Sequence, residues 1–301
     1  MTQRPAFDFE ISTLRRQEPI DGDPFHTWVV GADNQVLVAF YRDPSGFLLR
    51  YPGIADIVVA HGGRRCIAHP CAQGMERLVR HFFISQVRPL MLGLAGWQVY
   101  HGSSVEVGGA SVAFLGASGL GKSTLAASFS RNGQDYLSDD FICLTRRGNG
   151  VHVQEPVEPS LRLRPESVAA LVGAQSGTLV GADTLLGKMR IQPSRDFPFC
   201  SSARPLRAAF FLGHLGAEAV RITPLAGAEA FVEWVRASFQ IDVVAPDALT
   251  RQMTRISRLV AEIPCFRLDY PREFARLGEV RAAVLDTIDG IAPLPNAAAS
   301  G

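Results

Sequence analysis

Gly116, four intervening residues, then Gly121, Lys122 and Ser123 form the pattern G-x-x-x-x-G-K-[ST]. The chemistry that suits it is gripping the phosphates of a nucleotide. Glycines at 116, 119 and 121 take backbone conformations closed to other residues, so successive N–H groups can turn toward phosphate oxygens at a helix N-terminus. The pattern assigns Gly116, Ser118, Gly119, Leu120, Gly121, Lys122, Ser123 and Thr124 to nucleotide binding. Within that set Lys122 reaches the terminal phosphates and Ser123 is a ligand for Mg²⁺. A second group of candidates follows: Asp139 and Asp140 stand 17 positions beyond Lys122 (139 minus 122), room enough for one helix and a returning strand. An acid that holds Mg²⁺ beside one that accepts a hydroxyl proton is what phosphoryl transfer to an alcohol requires. His101 precedes the loop by two strands and is placed to face the same cavity, while Arg162, Arg164, Lys188 and Arg190 are the basic residues available to neutralise charge in the transition state.

The flanking sequence supplies the elements that must position these residues. Ser111–Leu115 is an apolar run of strand length, and Ser123–Phe129 favours a helix that Gly133 can end. Strand, loop and helix thus occur in the required order. Upstream, residues 6 to 72 break into short apolar segments separated by Asp-Asn, Pro-Ser-Gly and Gly-Gly, a pattern of strands joined by tight turns. Residues 74 to 95 read as one or two buried amphipathic helices, and two strands separated by Gly108-Gly109 then deliver the chain to the loop. Beyond it, strands are expected over 135–144, 161–164 and 208–216, and helices over 226–240, 247–261 and 272–289. The domain reading is a β-rich module over 1–95, a catalytic domain over 96–290 and a fraying tail over 291–301.

Whole-chain properties narrow the class. The chain has 301 residues, 47% of them hydrophobic and 20% charged, enough for a sizeable core in one large or two modest domains. A net charge of +1 gives no global field for nucleic acid or an anionic membrane. Five cysteines without a C-x-x-C pair fit reduced thiols and a cytoplasmic location better than a disulfide framework. Cys66 and Cys71 around His69 match no ordinary zinc spacing. The first residues lack the apolar stretch of an export signal, and the most apolar helical stretch, 78–97, is interrupted by Arg80, His81, Arg88 and Pro89, which excludes an uninterrupted membrane span.

His101-Gly102, the hairpin 105–116, the loop and the acids of 132–140, in that order and spacing, resemble the catalytic domain of bacterial HPr kinase/phosphorylase. They resemble most its stand-alone relatives encoded with ribosomal-peptide pathways, such as lasso-peptide precursor kinases. The resemblance covers residues 95–215 well and the flanks loosely. It implies an α/β P-loop kinase core of the kind shared with ATP-type phosphoenolpyruvate carboxykinase, using ATP and Mg²⁺ on a Ser hydroxyl of a peptide or small protein. It further implies Asp139 as catalytic base, Asp140 as Mg²⁺-side acid, and His101 near the pair. Two departures matter: Ala117 and Thr124 stand where the bifunctional enzymes carry acids, and Ser160-Leu161-Arg162-Leu163 stands where their Glu-x-Arg-Gly signature falls. The expectation is therefore a forward kinase for a precursor peptide. Its rivals are an HPr kinase and, from a different class, a P-loop ATPase or nucleotide-dependent switch. A homo-oligomer is compatible with the sequence.

Overall fold

The computed structural model describes residues 6–30, 33–172, 180–183, 187–213 and 215–292. Most of the expected tail, from 293 onward, lies outside them. The chain divides into two compact units, Met1–Val99 with Phe239–Arg251, and Tyr100–Ser238 with Gln252–Gly301.

The first unit is built on β1 (Asp8–Ile11), β2 (His26–Val30), β3 (Gln35–Asp43), β4 (Gly46–Tyr51), β5 (Ala55–Ala60) and β6 (Arg65–Pro70). Their order in the sheet is β1-β6-β5-β4-β3-β2, antiparallel except where β1 runs parallel to β6. α1 (Glu76–Phe82) and α2 (Arg88–Leu94) follow, joined by a turn of π-helix over Phe83–Val87. Pro89 sits in the first turn of α2, directly after the π-turn, the kind of local adjustment that accommodates a proline within a helical run. The helical stretch therefore continues past the proline, as the sequence suggested. Val79, Phe82, Val87, Leu90 and Met91 pack with Phe40, Leu49 and Ile57 in one core, the amphipathic arrangement expected of both helices. Chain order alone assigns 239–251 to the later domain, yet Ile241 is buried in this core and Asp242 receives both terminal nitrogens of Arg42.

In the second unit β7 (Gln98–Val107) and β8 (Ala110–Leu115) form the expected hairpin, and α3 (Lys122–Ser130) follows the loop. Next come β9 (Tyr136–Ser138), β10 (Phe141–Arg146), β11 (His152–Glu155), β12 (Leu161–Leu163), α4 (Pro165–Leu171), β13 (Val180–Asp183), β14 (Lys188–Ile191), β15 (Arg204–Leu212) and β16 (Arg221–Leu225). The chain closes with α5 (Gly227–Ala237), α6 (Pro246–Glu262), β17 (Cys265–Asp269) and α7 (Leu277–Asp289). The main sheet runs β11-β10-β7-β8-β15-β17-β16, with β9 on β7. β8, β15 and β17 are mutually parallel neighbours. A further pairing of β11 with β15 joins β7, β8, β15, β11 and β10 into a closed ring. A buried polar cluster of Ser104, Ser111, Ser138 and Gln154 is satisfied within it.

Alternation along β8 explains the layers. Val112 and Phe114 face a core shared with Leu125 and Phe129 of α3 and Val280 and Val284 of α7. Ala113 and Leu115 face another, shared with Trp234 of α5 and Ile256 and Leu259 of α6. A strand covered on both faces is apolar except where a buried partner satisfies a polar side chain: every residue of β8 is buried, and its one polar side chain, Ser111, donates to Gln154. Its C-terminal end, where the loop begins, is the customary place for a ligand in such a sheet. A separate three-stranded sheet, β12-β14-β13, carries Arg162 opposite Arg190.

Two boundaries differ from the sequence reading. The single strand expected over 135–144 is broken at Asp139-Asp140, because Asp140 adopts a left-handed φ of 66°. The helix expected from 272 begins at Leu277 after a 3₁₀ turn over Phe274–Arg276. Pro271 disfavours helical backbone at the residue before it, which leaves 270–273 as a loop at the end of β17.

Candidate functional site

The loop 116–121 leaves β8 with three left-handed or Gly-specific turns, at Gly116 (φ 137°), Gly119 (φ 86°) and Gly121 (φ 93°). At Gly121 a β-carbon would lie 2.7 Å from the Tyr270 hydroxyl oxygen, so both backbone and packing demand glycine there. Lys122 opens α3 and folds back, its Nζ donating at 2.8 Å to the carbonyls of Gly116 and Ala117. Burial pushes its pKa down to about 8, against the partial support of Asp139. A cavity of about 280 Å³ adjoins this loop, and Ser118, Gly119, Gly121, Lys122, Ser123 and Thr124 line it. Gly116 and Leu120 do not. Gly116 serves through its carbonyl, and Leu120 packs against the hydrophobic core.

The acidic pair is split by the break in its strand. Asp139 is 7% exposed. Its Oδ1 accepts from Ser103 Oγ at 2.6 Å and from Ser123 Oγ at 2.7 Å, and its Oδ2 accepts from the Arg162 backbone N–H at 2.7 Å. Asp140 lines the cavity instead, its carboxylate 2.7 Å from Arg162 Nη1 and 3.9 Å from Lys188 Nζ. The sequence reading set the two acids side by side, Asp139 as base and Asp140 with the metal. The structure gives the two acids different surroundings. Asp139 is bound to the loop hydroxyl, and Asp140 faces the open space.

His101, on β7, lines the same cavity and its Nδ1 lies 2.8 Å from the Asp140 carbonyl oxygen. That acceptor fixes Nδ1 as the N–H donor. Burial, with Lys122 nearby, pushes its pKa down to about 4. The ring is neutral at neutral pH. The native state thus holds fewer protons than the unfolded chain between pH 4 and the ordinary histidine value of 6.5. Stability is present above that window and declines as pH falls through it. Replacing His101 by Gln is expected to flatten this acid limb, measured as denaturation midpoints from pH 7 to 4. An unchanged slope removes His101 as its source.

Of the basic candidates, Arg162, Arg164 and Lys188 line the cavity, and Arg190 does not: its Nη2 is held by Glu158 at 2.5 Å. Arg162 and Arg190 are cross-strand neighbours, yet only Arg162 reaches the acidic pair. Sequence reasoning missed Ser103, which anchors Asp139, and Ser167, whose hydroxyl lies 3.0 Å from that of Thr124. It also missed the cavity wall formed by Tyr270, Arg272, Glu273 and Phe274. The Tyr-Pro pair at 270–271 was the available signal, while Arg272, Glu273 and Phe274 were absorbed into the helix expected over 272–289. Burial pushes the Tyr270 phenol up to about 12, with the Arg272 charge opposing.

These features put a glycine-rich loop, a buried lysine and two acids beside one cavity at the strand ends of a mixed α/β sheet. The residues fit a divalent cation as well as phosphate, since Ser123 Oγ and Asp139 Oδ1 form a hard oxygen pair next to the loop. Among the described residues no cluster of three His, Cys, Asp or Glu side chains forms a separate metal site. The five cysteines are free, and no helix is long and apolar enough to cross a membrane. No family model matches the chain. Partial similarity links it to HPr kinase/phosphorylases: 39% identity over 57 residues with that of Chlorobium phaeovibrioides, 19% of this chain and 17% of the relative. With that of Chloroherpeton thalassium the identity is 40% over 55 residues, covering 18% of this chain and 16% of the relative. The matched segment thus spans about one sixth of the relatives' length. The HPr(Ser) kinase/phosphatase structure from Coxiella burnetii overlaps 64% of this chain and 98% of its own, at 11% identity and a TM-score of 0.33, too low to carry an argument.

Proposed function

We propose that this protein is a Mg-ATP-dependent kinase whose acceptor is a Ser hydroxyl of a peptide or small protein, with a catalytic core of the HPr kinase kind. The observation that carries the reading is the second acid. A phosphate loop whose Ser123 is already bonded to Asp139 is enough for a nucleotide switch, but here Asp140 also opens onto the same cavity. An ATPase or switch needs only one acid at the metal and a positioned water.

In this reading Asp140 accepts the proton of the attacking hydroxyl as its oxygen bonds to the γ-phosphorus. The bond from that phosphorus to the β–γ bridging oxygen breaks, ADP leaves, and the proton passes to solvent. Arg162 and Lys188 aim the Asp140 carboxylate, His101 holds its backbone, and Lys122 turns from the loop carbonyls to the transferring phosphate. Bound Mg²⁺ would supply charge neutralisation on the phosphate oxygens, held by Ser123 and Asp139. The Ser160 position carries no acid, which favours forward transfer over phosphorolysis. The lasso-type precursor peptide is the acceptor suggested by the sequence resemblance, and the relatives found lend it no support.

The test is mass spectrometry of Ser-bearing precursor peptides and of HPr incubated with enzyme and Mg-ATP, followed by addition of inorganic phosphate. A gain of one phosphate on a peptide, stable to added phosphate, is expected. Modification of HPr alone with rapid reversal replaces the acceptor by HPr, and free phosphate without a phosphorylated product replaces the kinase by an ATPase.

A further inference from the structure

Arg272 stands just beyond β17 with most of its hydrogen-bonding capacity unspent. Its guanidinium carbon lies 3.6 Å from the centroid of the Tyr270 ring, and its Nη2 donates to the Gly213 carbonyl at 3.1 Å. Nε and Nη1, shielded from solvent, have no well-aligned hydrogen-bond acceptor among the described residues, the Tyr270 side chain being the polar neighbour of the guanidinium. Three of the five N–H groups of a guanidinium are therefore without a well-aligned acceptor. Buried donors left in that condition are unfavourable unless something else satisfies them. Neither Asp269 nor Glu273, its close acidic neighbours in sequence, forms an ion pair with it.

Its place in the fold says what can. Three chain segments meet at this end of the parallel strands: the loop after β8, Gly213 after β15, and 270–272 after β17. The Leu212 carbonyl oxygen is 3.3 Å from where a β-carbon of Gly116 would sit, and the Tyr270 hydroxyl packs on Gly121 within 3.4 Å of the Leu120 carbonyl. Arg272 is thus one aromatic ring away from the phosphate loop, and it lines the cavity. We propose that Arg272 is a phosphate-binding residue of this cavity, its guanidinium turning on the Tyr270 ring when nucleotide enters so that the N–H groups now shielded donate to the polyphosphate chain. Arginine suits the role because its planar fork both stacks and binds phosphate oxygens. The inference rests on the nucleotide reading above.

Calorimetric titration of wild type, Arg272→Gln and Arg272→Lys with Mg-ATP, inorganic tripolyphosphate and adenosine separates the two. Loss of charged hydrogen bonds is expected to weaken tripolyphosphate and Mg-ATP by about ten- to a hundredfold in Arg272→Gln. Adenosine affinity should stay unchanged, and Arg272→Lys should fall several-fold. Wild-type tripolyphosphate affinity in either folded variant overturns the assignment and leaves Arg272 as a brace for Gly213 and Tyr270, with the nucleotide reading intact. Equal loss of adenosine and tripolyphosphate binding overturns it too, since that marks a collapsed site. Wild type that binds neither Mg-ATP nor tripolyphosphate brings down both readings.

Discussion

Replacing Lys122 by Met is expected to lower phosphoryl transfer by about 10²–10³-fold, the usual result of removing one preorganised donor from developing negative charge. The side chain is 6% exposed, and its ammonium is already inside the loop on the carbonyls of Gly116 and Ala117. The nucleotide therefore meets a charge already inside the loop, which has only to exchange those two carbonyls for phosphate oxygens. With its pKa near 8, Lys122 carries its proton at neutral pH and loses it as pH rises through 8. An arriving polyphosphate stabilises the charged form, so binding takes up a proton above that pH and affinity falls as the solution becomes more alkaline. Titrations at pH 7 and 9 in buffers of different ionisation enthalpy measure this directly. Wild-type proton uptake in the Lys122→Met variant would assign the effect to another group, and undiminished transfer would remove Lys122 from the reaction.

Local signals carried much of this site. The loop pattern requires particular backbone conformations, so Gly116, Gly119 and Gly121 could be read from residue type alone, as could the strand and helix on either side. The β8–α3 unit forms as the apolar run dictates, the one polar side chain of the strand, Ser111, being satisfied by Gln154. What the sequence could not reveal is long-range. Ser103 reaches Asp139 across 36 positions, the residues after β17 line the cavity only because β17 lies beside β15, and residues 239–251 join the first unit. Arg190 looked equivalent to Arg162 until Glu158, 32 positions away, took its guanidinium. Such partners follow from topology, which no local pattern encodes.

The same limit explains the acidic pair and leads to its test. Successive residues of a continuous strand point to opposite faces, so two acids cannot share one task without a break in the strand; the left-handed turn at Asp140 is that break. Asp139 has three donors aimed at it: two hydroxyls on Oδ1 and a backbone N–H on Oδ2. An amide at 139 can keep its oxygen on the Arg162 N–H and turn its NH₂ to the two hydroxyls, which must then rotate to accept. Asp139→Asn should thus lose about 1–3 kcal/mol of stability as hydrogen bonds to a charged acceptor become neutral ones, and melt several degrees lower. It should also lose the Mg²⁺ dependence of ATP binding, since the oxygen bonded to Ser123 is no longer charged. Asp140 meets only side-chain cations of Arg162 and Lys188. Asp140→Asn should therefore fold normally and bind Mg-ATP within a few-fold of wild type, while transfer falls by about 10²–10⁴-fold as the base is lost. Calorimetry with and without Mg²⁺, beside a single-turnover assay, distinguishes the two. The opposite pattern, with Asp139→Asn binding Mg-ATP normally and Asp140→Asn losing the metal dependence, would restore the order read from the sequence and show that the carboxylates exchange environments when nucleotide enters.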